Sequence, residues 1–418
     1  MKALLMIAYH YPPEGGSSGV LRTLKFSKYL PHHGWSPHVL TLRESLYRVR
    51  DEALTADVPR EVTIHRTWAF DTSRHFAFRR HYPAALTVPD RFLTWLPFGV
   101  ARGLRVIRRA GIRALYSTSP QPTAHLIGLS LKTLTGLPWI ADFRDPWVEE
   151  GVHPSGSLRH GIDSRLERMV VERADRVVTT TPYLRGDFLA RYPRLSPEKV
   201  EVIYNGFDEA DVVDLGVPAK PSRFEILHAG LVTAEYRNPA PLFEAVSRSI
   251  GAGRVPRNDI RIVFLGGGKY TGSPQFADLV RRFGLGDVVE VAARVSHRDA
   301  FARVRQAGCL LVLQASEDTR SLIPAKVFEC LRSGRPIIAL APEGATAELL
   351  KDMDHCAVVD PADIRRLEGV VAAVYEEWRD SASPVVVSRL VARFERAALT
   401  GELARILGTL SPEVARGG

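Results

Sequence analysis

The sequence predicts an α/β protein of two domains, each built on a parallel sheet, and two observations support this prediction. Short runs rich in apolar and β-branched residues alternate with longer segments of helical periodicity, which is typical of parallel α/β sheets. The alternation breaks once, at DLGVPAKPS (residues 214–222), where Pro, Gly and charged residues accumulate, and then restarts. We therefore expect one Rossmann-like domain on each side of this segment.

Predicted strands are distributed over both halves of the chain. In the first half they are ALLMIA, PHVLTL, RALYST, PWIAD, RVVTTT and VEVIY, and in the second half FEILHAG, IRIVFLGGG, VVEVA, CLLVLQ and PIIAL. The final helical pattern, VVVSRLVARFERAALTGELARILGTL, is amphipathic and is followed by no strand, so it can pack on either domain. The predicted division is 1–213 for the first domain, 223–392 for the second and 393–418 for a terminal helix.

The composition is that of a globular protein with a basic surface. The chain has 418 residues, more than one core usually supports, and its formal net charge of +9 favours anionic partners. Three cysteines stand far apart without CxxC spacing, so neither a disulfide framework nor a zinc site is expected. The apolar start MKALLMIAY is short and leads into a polar turn, which favours a strand over a signal peptide. No apolar segment approaches the ~20 residues that span a bilayer, and we expect a cytoplasmic protein.

The loop YHYPPEGGSSGVLR follows the first predicted strand, at the sheet edge where doubly wound folds bind ligands. Gly15, Gly16 and Gly19 permit positive φ and the close approach of an anion to the backbone. The helix that begins near Val20 directs free N–H groups to the same place. The spacing is not GxGxxG and no acidic residue ends the second strand, which disfavours a dinucleotide-dependent oxidoreductase. A flexible turn without a ligand is the alternative.

The segment SLIPAKVFECLRSGRPIIAL predicts a short helix that leads into a buried strand. Pro324 opens the helix, Gly334 ends it, and Lys326 and Glu329 lie at positions i and i+3 on one face. Charges in the first turns of a helix at the carboxyl edge of a sheet suit ligand binding. The alternative is a solvated Lys/Glu pair, worth only roughly tenths of a kcal/mol.

Five motifs together resemble those of bacterial members of glycosyltransferase family 4. They are YPPEGGSSGVLR, PWIADFRDPW, VIYNGFD, LHAGLVTAEYRNP and IPAKVFECLRSGRPIIA, in the family's order and spacing over essentially the whole chain. The resemblance implies a GT-B fold: two facing Rossmann-like domains, an interdomain cleft and a C-terminal helix that crosses back to the first domain. It further implies a retaining, hexosyltransferase-like enzyme that needs no metal or cofactor. The second domain would hold a UDP- or GDP-linked sugar and the first domain the acceptor.

The resemblance assigns the donor ribose to Glu329. This residue matches the second acid of the family's E-x7-E motif, and a carboxylate can accept hydrogen bonds from both vicinal hydroxyls. Ser321 stands where the family has the first acid, a departure that affects the usual contact with the donor sugar.

The resemblance also places two cations on the donor diphosphate, at the positions of Leu231 and Arg237. The first cation is missing, and Lys326 is the candidate replacement. Together with the helix N-terminus at Pro324, Arg237 and Lys326 would stabilise the negative charge that develops on the leaving diphosphate.

In the first domain, the resemblance implies that Gly15 and Gly16 face the donor across the closed cleft. Arg144 occupies the position of a catalytic-site histidine in many relatives, and Asp145 follows it. Asp142, Arg144 and Asp145 are therefore candidate catalytic residues that would orient the acceptor hydroxyl or the donor sugar. Capping of the strand end is the alternative role for either aspartate.

Basic and aromatic residues are interleaved between residues 74 and 113. Arg79, Arg80, Trp95 and Phe98 are the candidate contacts to an acceptor or to an acidic membrane, which suits a polyprenyl-linked saccharide at the inner face of the plasma membrane. A solvated helical insertion is the alternative. Single-stranded nucleic acid is bound by similar chemistry, but no nucleic-acid module surrounds these residues and we expect no such partner.

The sequence leaves three functions open. The favoured one is a glycosyltransferase of surface polysaccharide or glycolipid synthesis. A GT-B nucleotide-sugar epimerase would act on the same donor without an acceptor. A non-catalytic sugar-nucleotide or nucleic-acid binding protein is supported by the departures at Ser321 and Leu231.

Overall fold

The computed structural model folds into two compact units. It describes residues 1–17, 19–72, 87–148, 157–212, 220–314, 319–380 and 387–410. The first unit consists of Met1–Asn205 and Arg396–Gly418, and the second of Gly206–Glu395. The junction after Asn205 therefore precedes the 214–222 segment that divides the sequence pattern.

Seven parallel strands form the sheet of the first unit, in the order β3-β2-β1-β4-β5-β6-β7. The strands are β1 Lys2–Ile7, β2 Trp35–Leu42, β3 Thr63–Thr67, β4 Ile112–Thr118, β5 Trp139–Phe143, β6 Arg176–Thr179 and β7 Val200–Val202. The helices between them are α1 Gly19–Tyr29, α2 Ala53–Ala56, α3 Trp95–Ala110, α4 Pro122–Thr135, α5 Leu158–Arg173 and α6 Pro182–Arg191.

Both faces of this sheet are buried, as strand β1 shows. Leu5 and Ile7 belong to one hydrophobic cluster and Leu4 and Met6 to another, because successive side chains of a strand point to opposite faces. A strand covered on both faces needs an unbroken apolar run, which explains why the sequence shows no alternation here.

Six parallel strands form the sheet of the second unit, in the order β10-β9-β8-β11-β12-β13. The strands are β8 Phe224–Ala229, β9 Ile260–Leu265, β10 Val289–Ala292, β11 Cys309–Leu313, β12 Ile337–Leu340 and β13 Cys356–Val359. The helices are α7 Ala240–Gly251, α8 Pro274–Arg282, α9 His297–Gln306, α10 Lys326–Ser333, α11 Ala345–Lys351 and α12 Ile364–Asp380.

Strand order reverses at one point in each sheet, and this positions the candidate sites. In the first unit β2 and β4 flank β1, and in the second β9 and β11 flank β8. Loops that leave the carboxyl ends of these neighbouring strands in opposite directions open a crevice where α/β proteins bind ligands. The loop after β1 and the loop after β8 both lie at such a point.

The terminal helix α13, Arg396–Leu410, packs on the first unit. Leu399, Leu403, Ile406 and Leu407 are buried in the same cluster as Leu4 and Met6 of β1. This helix lies within the predicted range of 393–418, but the helical sequence pattern that begins at residue 385 is interrupted before it. Arg389–Phe394 is a 3₁₀ helix, and the extended backbone of Glu395 separates it from α13.

Among the described residues, no helix combines the length and the apolar character that crossing a bilayer requires.

Candidate functional site

The second unit brings Lys326 to the loop after β8. Lys326 is the first residue of α10, and its ammonium group donates a hydrogen bond to the carbonyl of Ala229, the last residue of β8. The next residue, Gly230, has φ of 142°, and a Cβ there would lie 1.6 Å from Lys326 Nζ. The positive φ therefore favours glycine at this position, and a side chain there would displace the lysine.

Arg237 lies in the same loop and is the second cation. Its Nη1 is 3.5 Å from the carbonyl oxygen of Leu231, whose own side chain is 56% exposed. Burial lowers the pKa of Lys326, and the nearby positive charge of Arg237 lowers it further. Within the described part of the chain, neither cation has a carboxylate within 4.0 Å. Two partly buried cations that repel one another form a site for an anion.

Glu329 is paired with a histidine from another helix. Its Oε1 lies 2.8 Å from Nε2 of His297, which disfavours the alternative of a solvated pair with Lys326, while the ribose contact stays a prediction. His297 is the first residue of α9, and the Ser296 side chain caps that helix. The sequence analysis missed His297, because nothing in the local pattern VSHRDAF links it to a residue in another helix.

The helix begins later than predicted. Pro324 was expected to open it, but α10 begins at Lys326 with Ala325 at the N-cap, and the carbonyl of Pro324 accepts a hydrogen bond from Val327 N at 2.9 Å. Gly334 ends the helix in the left-handed conformation, with φ of 68°, as the sequence predicts. Ser321, which replaces the first acid of the motif, is buried.

His228 contacts the loop after β8, near Lys326 and Arg237, and its imidazole is weakly basic. Its Nδ1 is 2.9 Å from the carbonyl of Leu311 and its Nε2 is 3.2 Å from the carbonyl of Leu231. Burial lowers its pKa to about 4, and the charge of Lys326 contributes. The imidazole is therefore neutral at physiological pH and adds no third charge to the loop.

In the first unit, Glu14 organises the loop after β1. Its Oε1 accepts a hydrogen bond from Gly16 N at 2.7 Å, and its Oε2 lies 2.7 Å from Nδ1 of His10. A Cβ on Gly15 would lie 2.7 Å from Cβ of Asp51. Gly15, Gly16 and Gly19 permit positive φ but do not adopt it, and at Gly15 the absence of a side chain allows close packing on Asp51. Donor binding by Gly15 and Gly16 stays a prediction.

Asp142, at the end of β5, is fully buried in a hydrogen-bond network. Arg22 donates to both of its carboxylate oxygens, at 2.8 and 2.9 Å, and Tyr116 and Thr118 donate to Oδ2 at 2.5 and 2.8 Å. Burial acts to raise the pKa of Asp142, but the charge and hydrogen bonds of Arg22 hold it below its usual value. The geometry favours a positioning role over contact with substrate.

Arg144 and Asp145 continue the chain from β5 toward the surface. The guanidinium of Arg144 is buried and donates to the carbonyls of Ser119 and Gly19, so it joins the loops after β4, β5 and β1. Asp145 makes no hydrogen bond within the described residues, and burial raises the pKa of its carboxyl group. Asp145 is therefore the one of the three candidates that is available to a ligand, and the role of each stays a prediction.

Trp95 is not a surface contact. It is fully buried in the core of the first unit, and its indole Nε1 donates to Thr67 Oγ1 at 2.7 Å. This corrects the prediction that Trp95 contacts an acceptor or a membrane. Phe98 is 40% exposed; Arg79 and Arg80 lie outside the described residues.

Comparison with known proteins identifies one domain by sequence. Residues 19–206 match the model of the glycosyl transferase 4-like domain. A D-inositol 3-phosphate glycosyltransferase of Kineococcus radiotolerans is 30% identical over 199 residues, which is 44% of either chain. The chain thus spans less than half the length of this curated relative.

Solved structures match over nearly the whole chain. Sucrose-phosphate synthase from Thermosynechococcus elongatus has a TM-score of 0.67 at 14% identity and covers 98% of this chain and 99% of its own. Anabaena Alr3699/HepE, solved in complex with UDP, has a TM-score of 0.65 at 16% identity and covers 98% and 100%. The same Anabaena protein has also been solved with UDP-glucose. These likenesses confirm the predicted α/β fold class of the GT-B type. The first unit thus carries a glycosyl transferase 4-like domain over residues 19–206, within a chain whose fold is of the GT-B type.

Proposed function

We propose that the protein transfers a sugar from a nucleoside-diphosphate sugar to a saccharide acceptor, in surface polysaccharide or glycolipid synthesis. The observation that carries this proposal is the pair of cations, Lys326 and Arg237, at the point where strand order reverses in the second unit. A diphosphate brings two negative charges to a loop that holds two cations, and the UDP complex of the Anabaena protein supports a nucleotide donor.

The chemistry that we propose is transfer with retention of anomeric configuration. The bond between the sugar C1 and the diphosphate breaks, the acceptor oxygen bonds to C1, and the acceptor proton passes to an oxygen of the departing phosphate. Lys326 and Arg237 stabilise the charge that grows on that phosphate. The carboxylate of Asp142 already accepts hydrogen bonds from Arg22, Tyr116 and Thr118. We therefore do not propose it as a nucleophile. NMR of the product tests this step: the new linkage should have the same anomeric configuration as the donor sugar, and the opposite configuration would contradict retention.

Metal independence is part of the proposal, because the charges of Lys326 and Arg237 supply the stabilisation that a divalent ion gives elsewhere. Activity that survives EDTA is the expected result. Loss of activity in EDTA and its recovery with Mg²⁺ or Mn²⁺ would contradict metal independence.

The experiment that tests the function measures release of UDP or GDP from a panel of nucleotide sugars, with and without saccharide and polyprenyl-linked acceptors. Acceptor-dependent release with a glycosylated product is expected. An acceptor-independent release would favour an epimerase, and binding without turnover would favour a non-catalytic binding protein.

The roles of the two cations are tested by a double-mutant cycle. Lys326→Ala and Arg237→Ala should each lower kcat more than they raise the donor KM, and together they should cost less than their sum, by about 0.5–3 kcal/mol. Lys351→Ala, an exposed lysine of the same unit, is the control. Strictly additive losses would reject shared stabilisation of one diphosphate.

Glu329→Gln tests the ribose contact separately. Loss of a charged acceptor should weaken donor binding by about 1–3 kcal/mol. An unchanged donor KM would remove Glu329 from the ribose site.

A further inference from the structure

The first unit contains a cavity that the proposed donor chemistry does not use. It has a volume of about 290 Å³ and lies beside Asp145, at the carboxyl ends of β4 and β5. Its polar and aromatic lining comes from two loops and from helix α5, namely Asp90, Asp145, Trp147, Arg159, His160 and Asp163. Prolines line much of the remainder.

Trp147 is held rigidly in the wall of this cavity. The backbone N–H groups of Trp147 and Val148 both donate to Glu167 Oε2 at 3.0 Å. Glu167 is fully buried and is fixed by Tyr192, whose hydroxyl donates to Oε1 at 2.5 Å. The indole Nε1 donates to Asp163 Oδ1 at 3.2 Å. An aromatic ring with fixed backbone and fixed tilt is a low-entropy surface for stacking.

Polar atoms in the same wall have unused hydrogen-bonding capacity. The Asp145 carboxylate has no hydrogen-bond partner in the described part of the chain, and burial raises its pKa. Arg159 Nε is buried and makes no hydrogen bond with any described residue, although it lies 3.5 Å from Asp163 Oδ2. Carboxylate acceptors and a guanidinium donor beside an aromatic ring match the hydroxyls and C–H faces of a sugar ring.

The charge of the residues that line the cavity favours neutral rings over phosphorylated ones. Three aspartates face one arginine and one histidine. Burial also raises the pKa of Asp90, although Thr123 N and Phe92 N each donate to it at 2.7 Å. A phosphate group would add negative charge where carboxylates are already costly to ionise.

We propose that this cavity binds one neutral sugar or cyclitol ring, stacked on Trp147, and disfavours its phosphorylated form. The inference rests on the proposed function, for which the ring is the acceptor or its terminal residue. The residues that line the cavity thus indicate that the acceptor is an uncharged ring.

Ligand-observed NMR on the full chain tests this, with glucose, galactose, mannose, N-acetylglucosamine and myo-inositol as neutral probes and glucose 6-phosphate as the anionic one. We expect saturable binding of at least one neutral ring and about tenfold weaker binding of the phosphate. Trp147→Ala should reduce the affinity by about tenfold, and Trp147→Phe should retain most of it. Leu134→Ala, which shortens an exposed apolar side chain of the same unit, is the control and should bind like wild type.

Three outcomes would overturn the inference: no neutral ring binds, the phosphate binds more tightly, or Trp147→Ala and Trp147→Phe both bind like wild type. Binding of the neutral sugars and of glucose 6-phosphate is compared on the wild-type protein. This comparison therefore remains valid even if a Trp147 variant fails to fold. UDP binding to wild type is measured in parallel. UDP binding without sugar binding overturns this inference alone, and sugar binding without UDP binding overturns the proposed donor site alone.

Discussion

At position 230 a Cβ would meet the ammonium group of Lys326, and φ of 142° already favours glycine there. Gly230→Ala should therefore displace Lys326 and weaken UDP binding by about tenfold, or about 1.4 kcal/mol, in isothermal titration. Gly253→Ala is the matched control: Gly253 also has positive φ, 67°, but no atom lies within 4 Å of its Cβ position. Equal affinity in the two variants would show that backbone strain, and not Lys326, decides the effect.

His297 is expected to position Glu329 for the donor. Loss of the 2.8 Å contact between His297 and Glu329 frees the carboxylate to rotate, so His297→Ala should raise the donor KM by about three- to tenfold, with a smaller effect on kcat. His297→Gln should restore part of the affinity through its amide N–H. His355→Ala is the control, since His355 also pairs with a glutamate, Glu377, at 3.3 Å. An equal loss in kcat and donor affinity would indicate general damage.

The candidate site residues are easier to predict from the sequence than the residues that they contact. Lys326 and Glu329 stand out because they share one short helix before a buried strand. Their contacts, Ala229 and His297, are 97 and 32 residues away in the chain, and only the packing of separate elements sets such distances. The prediction for Trp95 was wrong for a different reason. An aromatic residue among arginines suggests a surface position, but Trp95 is buried in the core.

Helix α13 completes the core of the first unit from far along the chain. Leu403 is fully buried in the cluster that also contains Leu4 and Met6. Leu403→Ala should destabilise the first unit by about 2–5 kcal/mol through loss of buried area and formation of a cavity, seen as a lower midpoint in thermal unfolding. Leu134→Ala, at a residue that is 62% exposed in helix α4, should leave the midpoint within the error. Similar midpoints for both would show that α13 is not an integral part of this core.

Helix α3 presents Phe98 beside exposed aromatic residues outside the helix. Phe98 and Phe70 are in edge contact at 6.3 Å, and Trp68 is 49% exposed under the guanidinium of Arg43. Aromatic rings among arginines favour an anionic interface. We expect the double variant Trp68→Ser, Phe98→Ser to co-sediment less with acidic vesicles than wild type, and neither protein to sediment with neutral vesicles.

Trp95 lies on the same helix as Phe98 but is buried, so its replacement should have a different effect. Trp95→Ser should lower the thermal midpoint, because Trp95 is in the core, whereas Phe98→Ser should not. Vesicle binding equal to wild type in the double variant would support the solvated-insertion alternative.

The central strands and the edge strands β7 and β10 were predicted from the sequence, whereas the other two edge strands were not. β1, β4 and β5 are buried along nearly their whole length and are rich in apolar residues, because both faces of the sheet are covered. β3, TIHRT, and β13, CAVV, lie at the edges of their sheets and were missed. β3 is largely polar and therefore lacks a strong local pattern, and pairing with β2 and β12 defines the two missed strands.

Acid should destabilise the whole molecule through histidines in both units. Burial lowers the pKa of His65 to about 4, of His125 to about 3 and of His228 to about 4. The unfolded chain takes up protons at these side chains below a pH of about 6.5, while the native state does not. Stability should therefore be full above about pH 6.5 and fall progressively toward pH 4.

Thermal midpoints at about pH 7.5, 6 and 5 check this dependence. His65→Gln should reduce its slope, because one of the groups that takes up a proton on unfolding is gone. A midpoint that does not change between about pH 7.5 and 5 would contradict the assignment.

The packing of α13 has a consequence for biosynthesis. A ribosome delivers residues 1–205 first, but the first unit lacks Leu399, Leu403, Ile406 and Leu407 in its core until the chain has been made through Leu407. Residues 206–395 are complete before then, and domains generally fold as units during synthesis. The nascent first unit must therefore wait, with one apolar face uncovered, while the second unit forms. The order in which the two units reach their native states is expected to be the reverse of the order in which they are translated.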